Sequence, residues 1–113
     1  MCDSSWVAGF PGAITVCDPQ GVILEMNQRS VNSFASEGGE QLIGTNVLDC
    51  HPEPARSKLV TLLAAGQRNV YTIEKHGIRK LIYQTPWYKD GQYAGFVEIS
   101  LEIPAEMPHF IRE

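Results

Sequence analysis

Several absences narrow this chain before any motif is considered. No apolar run approaches the roughly 20 residues that a bilayer span needs. The opening Met1-Cys-Asp-Ser-Ser-Trp6 has no basic segment ahead of an apolar one, so no secretory signal is read. Positive charge is scarce: Lys and Arg number 9 against 13 Asp and Glu, the net charge is −4, and no basic run forms. Phosphate backbones are held by clustered cations, so nucleic acid is not expected as a direct partner. Cysteine is also sparse. Cys2, Cys17 and Cys50 are an odd, widely spaced set. That argues against a disulfide framework and for a reducing cytoplasm. There is no Gly-x-Ser-x-Gly, no P-loop, no dinucleotide glycine loop and no His-Glu-x-x-His. Cys50 stands beside His51, but neighbours on an extended chain point apart, so no catalytic residue is assigned. One cysteine and one histidine fall short of the four ligands of a structural zinc site, and no metal is assigned.

The punctuation that is present reads as one domain. Residues 1–11 form a leader in which Trp6, Val7 and Phe10 can cover a sheet face or a partner. Ala13 to Cys17 and Val22 to Met26 read as strands around the turn Asp18-Pro-Gln-Gly21. Asn27 suits the N-cap of a short helix, Gln28 to Ala35, and Glu40 to Ile43 suits one further turn. Pro54 fits a first helical position, Leu59, Leu62 and Leu63 recur at helical spacing, and Gly66 supplies the stop. Asn69 to Lys75 alternates as a strand, followed by the turn His76-Gly77. Ile78 to Tyr88 reads as a strand interrupted at Pro86. Asp90-Gly91 signals a hairpin into a last strand, Tyr93 to Ile103. In that strand Gly95, Val97, Ile99, Leu101 and Ile103 share one face, which alternation assigns to the core. Residues 105–113 form a tail. The expectation is an α+β fold: five antiparallel strands, with short helices and one longer central helix inserted after strand 2.

That order, with these residues, resembles the PAS domain family. The likeness is carried by Ile14-Thr-Val-Cys-Asp-Pro-Gln-Gly-Val-Ile-Leu-Glu-Met-Asn27, by Gln41-Leu-Ile-Gly-Thr-Asn46, and by Asp90-Gly91 followed by Gly95-Phe-Val-Glu-Ile-Ser100. The PAS-like region spans 12–104. The resemblance implies a sensory or interaction module whose pocket lies between the sheet and the central helix. It also implies a homodimer, a signalling protein engaged in trans, or a chain that is a fragment of a larger signalling protein, since no output domain is read within it. The pocket is filled by a small ligand or by nothing.

Within that frame the expected pocket residues are Cys50, His51, Leu59, Tyr83, Val97 and Ile99. No cofactor is required, though haem and non-covalent flavin are both compatible with the family. His51 is the axial ligand in the haem alternative, although it precedes the central helix, where the family's ligating histidine usually lies. The photoactive flavin subfamily carries Asn-Cys-Arg-Phe-Leu-Gln at this place. Here the run is Asp49-Cys-His-Pro52, so covalent flavin chemistry is not expected.

Overall fold

The computed structural model describes residues 5–113, apart from the side chain of Cys50. Short-range side-chain chemistry sets its first elements. Ser5–Gly9 forms a short helix (α1) inside what the sequence suggests is a loose leader. Ala13–Cys17 (β1) and Ile23–Met26 (β2) pair antiparallel across the Asp18 turn. Asp18 Oδ1 accepts from the amides of Gln20 and Val22, both at 2.9 Å, so the side chain itself closes the turn. Asn27 then caps Gln28–Ser33 (α2). This helix is shorter than its apolar pattern suggests, because from Phe34 the chain continues as two 3-10 turns, Ala35–Glu37 and Gly39–Leu42. A third, Val47–Cys50, leads to an extended His51.

The central helix (α3) runs Ala55–Ala65. Pro54 stands one position before it, at the N-cap rather than inside. Proline has no side-chain acceptor, so the capping falls to Glu53: its carboxylate accepts from the Ser57 amide at 2.8 Å and the Ser57 hydroxyl at 2.6 Å. Gly66 ends α3 in the left-handed conformation (φ 59°), which a side chain would disfavour.

Asn69–Lys75 (β3), Ile78–Lys89 (β4) and Gln92–Ile103 (β5) complete one five-stranded sheet in the order β2-β1-β5-β4-β3. His76 and Asp90 both have positive φ, each followed by a positive-φ glycine, as a two-residue primed turn requires. Pro86 does not break β4. The pairing with β3 ends at Gln84, so beyond that point β4 has a free edge where the missing N–H costs no ladder bond.

The helices cover one face of the sheet. There Cys17, Leu59, Leu62, Leu63 and Phe96 are buried together, with Val47, Leu48 and Tyr93 packed around them. The core therefore lies on the Phe96 side of β5. This corrects the sequence reading, in which Val97, Ile99, Leu101 and Ile103 faced the core. Those four alternate onto the opposite, outer face and are half-buried. There Val97 stands opposite Val16, Ile99 opposite Ile14 and Tyr83, and Leu101 opposite Leu81. The rule that the apolar side of a strand faces the helices fails because the helix side carries a polar row instead. No described helix is long and apolar enough to cross a membrane.

Candidate functional site

Strand register brings four polar residues side by side on the helix-facing side of the sheet. Thr15 of β1 pairs with Glu98 of β5, Glu98 with Gln84 of β4, and Gln84 with Asn69 of β3. Directly opposed residues point to the same face, so these side chains form a line across the floor beneath α3. Three of them are chained by hydrogen bonds. Asn69 Nδ2 donates to Gln84 Oε1, and Gln84 Nε2 donates to Glu98 Oε1, each at 2.9 Å. The amide of Gln84 is thus oriented from both ends. At the other end of the row, Thr15 shares a hydroxyl–hydroxyl hydrogen bond with Ser30 of α2, which is fully buried.

His51 stands over this row. Its Nδ1 lies 2.7 Å from the Val47 carbonyl oxygen. A carbonyl only accepts, so Nδ1 carries the proton, and in the neutral ring Nε2 keeps its lone pair. Between α3 and the far strands opens a cleft of about 160 Å³, walled by His51, Leu59, Leu62, Asn69, Tyr71 and Gln84, with Lys58 among its lining residues. A cavity of about 40 Å³ shares the His51, Leu59 and Gln84 walls and adds Thr15, Cys17, Phe96 and Glu98. A third hollow of about 30 Å³ lies on the Ile23, Phe34 and Leu42 side, again between His51 and Glu98. Electrostatics follow from this packing. Burial pushes the Cys17 thiol up, with Asp18 and Glu98 adding to it. Burial, then the Glu98 charge, raises the Tyr71 phenol. Among the described residues no group of three His, Cys, Asp or Glu is placed to hold a metal ion.

Of the residues expected at the pocket, His51 and Leu59 stand at the cleft. Tyr83 and Ile99 do not. They oppose one another on the outer face, where Tyr83 Oη accepts from Arg68 at 3.2 Å. Val97 borders the 40 Å³ cavity, although alternation turns its side chain outward. The side chain of Cys50 lies outside the described residues. The polar row of Thr15, Gln84, Glu98 and Asn69 was not anticipated. Its signal was cross-strand register, which singles out no residue until the hairpin offsets are known.

Solved structures with this fold include the PAS domain of BvgS from Bordetella pertussis (15% identity, TM-score 0.67, covering 88% of this chain and 82% of that one). A sensor histidine kinase domain from Vibrio cholerae matches at 18% identity and TM-score 0.59, with 89% of each chain covered. The Aer2 receptor of the same organism, described as a dual PAS-heme oxygen sensor, matches at 15% identity and TM-score 0.61, covering 87% of this chain and 99% of that one. No curated protein matches the sequence. Residues 7–106 match the family described as PAS fold, and a match over so much of the chain means that it belongs to the PAS family.

Proposed function

We propose that this PAS domain senses a small molecule in the cleft between α3 and the Asn69–Gln84 end of the polar row. Its output passes through the outer sheet face, to a second copy of the chain or to a signalling protein in trans. The observation that carries the reading is a cleft of about 160 Å³ against a polar row already held in place by hydrogen bonds. A cavity of roughly 150 Å³ accepts a benzene-sized molecule, whereas pockets for drug-sized ligands run to roughly 300–1,000 Å³. The size therefore favours a small metabolite over flavin or haem. His51 has the backbone-oriented ring that metal-binding histidines use. A carboxylate and two amides on the floor nevertheless suit a porphyrin face poorly. The outer face supports the output half of the reading, because Val16, Leu81, Tyr83, Ile99 and Leu101 leave an apolar sheet surface half-exposed. The buried free thiol of Cys17 fits a reducing compartment, so the cytoplasm is the location this reading assigns.

A second reading, a ligand-free interaction domain, draws on the two inner cavities of about 40 and 30 Å³, which hold a water or two and no more. Native mass spectrometry combined with thermal-shift screening of a metabolite panel separates the two. A bound small mass, or a compound that raises Tm, supports sensing. A clean dimer with no bound mass and no Tm response across the panel supports the ligand-free reading. Reconstitution with haemin decides the haem alternative: it requires a Soret shift that His51→Ala abolishes.

A further inference from the structure

At the middle of the polar row stands a carboxylate, Glu98, that makes no ion pair with a described residue, although Lys75 and Lys80 line with it a further hollow of about 230 Å³. Among the described residues the one ion pair joins Arg79 to Glu74, at the exposed end of the β3–β4 hairpin. Glu98 is half-buried, and its Oε1 accepts from the neutral amide of Gln84. No described donor reaches its Oε2. A charge drawn partly out of water is ordinarily paired, because its lost hydration has to be offset. Glu98 lines the cavity that adjoins the cleft. Around the cleft itself free acceptor capacity remains at Asn69 Oδ1, whose amide nitrogen alone is engaged, and at His51 Nε2 when the ring is neutral, beside the Tyr71 hydroxyl, which can donate or accept. The opposite wall is apolar, formed by Leu59 and Leu62. One cation, the exposed Lys58, lines the cleft from α3.

We propose that the cleft takes a small organic monocation, a primary ammonium on a short apolar body. Its water-sized nitrogen end sits toward Glu98 in the adjoining cavity of about 40 Å³, which shares the His51, Leu59 and Gln84 walls, and its body lies in the cleft against Leu59 and Leu62. The proposal rests on the small-molecule reading above and names its ligand class. The volume limits the body to about the size of benzene. Lys58 disfavours a second positive charge on the ligand, so diammonium compounds bind more weakly.

The test titrates the full chain with four probes of similar length, n-butylammonium, 1-pentanol, pentanoate and 1,4-butanediammonium, following backbone amide shifts by NMR. n-Butylammonium is expected to bind about 10-fold or more tighter than pentanol or pentanoate, with shifts centred on Gln84 and Glu98, since a charge-assisted hydrogen bond is roughly twice as strong as a neutral one. Glu98→Gln should remove that preference, and Glu102→Gln, on the same face near the strand end, should keep it. Lys58→Gln should bring the diammonium probe up toward n-butylammonium, which decides the matter even if Glu98→Gln does not fold. If pentanol or pentanoate binds as well as n-butylammonium, the ligand class is overturned and the small-molecule reading stands. If no probe moves any cleft amide, both fall.

Discussion

The two sides of this domain are held together differently. The side built from β1, β2 and α2 is tied by side chains to backbone. Asn27 uses its whole hydrogen-bonding capacity: Oδ1 accepts from Ile14 and Ser30, and Nδ2 donates to the carbonyls of Val7 and Gly12, all between 2.8 and 3.0 Å. Asn46 ties the turn before Val47 to the Asp18 hairpin through the Gln20 carbonyl. The side built from α3 and β3 has fewer such ties. Val70, Tyr71 and Ile73 of β3 are each 41–45% exposed. α3 is held by three buried leucines and, at its C-terminal end, by the Tyr93 hydroxyl donating to the Leu63 carbonyl at 2.8 Å. A rigid side that presents Thr15 and Glu98, facing a looser side that bears His51 and Leu59, is an arrangement in which the proposed ligand would be felt mainly by α3. Low local contact density marks the segments that open first.

The contrast predicts unequal costs. The largest belongs to Gly95, where β5 passes beside the end of β1. Its φ is 137°, and an added Cβ would overlap the Cys17 carbonyl oxygen, the same oxygen that accepts from Trp87 Nε1. Gly95→Ala should cost at least about 3 kcal/mol in chemical denaturation, through strain and overlap together. A cost below about 1 kcal/mol would mean that the β1–β5 junction yields, and the rigid side would lose its claim. Asn27→Ala comes next, at roughly 2–4 kcal/mol, since it strands buried backbone groups and removes the α2 cap. In hydrogen exchange it should speed the Ile14 and Ser30 amides and spare those of α3.

Much of the fold was legible because its punctuation is local. The Asp18 turn, the Asn27 cap, the Leu59/Leu62/Leu63 stripe, the Gly66 stop and the two primed turns each depend on a few neighbouring residues. The site was less legible because it depends on register over long separations. An unshifted Asp90-Gly91 hairpin continues the pairing Lys89 with Gln92 and Tyr88 with Tyr93, and would set Gln84 opposite Val97. The irregularity between Trp87 and Tyr88 sets Gln84 opposite Glu98 instead. A one-residue slip exchanges the two faces of a strand. Alternation alone also chose the wrong side, because in this sheet the apolar side of β5 is the outer one. His51 and Leu59 were found because they lie in the loop and helix that local signals define. Glu98, Gln84 and Asn69 were missed because only strand pairing assembles them.

The smaller predictions address the looser side. Tyr93→Phe removes the hydroxyl that ties α3 to β5 and keeps the edge-to-face packing on Phe96, whose ring centroid lies 6.3 Å away. The expected loss is about 1 kcal/mol. Amide exchange should quicken in α3 and stay unchanged at Ile14 and Ser30; if both sides loosen together, the domain is one cooperative unit and the contrast fails.

The smallest effect lies at the other end of α3. The hydrogen bonds from Ser57, chiefly, hold the exposed Glu53 carboxyl below the usual carboxylate range. A carboxyl lowered in the folded state binds its proton more readily in the unfolded one. Its contribution is therefore complete above the ordinary carboxylate value and is lost as pH falls through the depressed folded value. Acidification through that window should lower the protection of the Ser57 amide, relative to its intrinsic exchange rate, first and ahead of any global unfolding. Glu53→Gln should flatten that dependence, because a neutral amide still accepts one bond but has no proton to gain. If the Ser57 amide responds to acid equally in both proteins, the cap is not what holds the start of α3. The buried leucines and the Tyr93 hydroxyl would then be what fastens α3, which makes the contrast with the Asn27 side sharper.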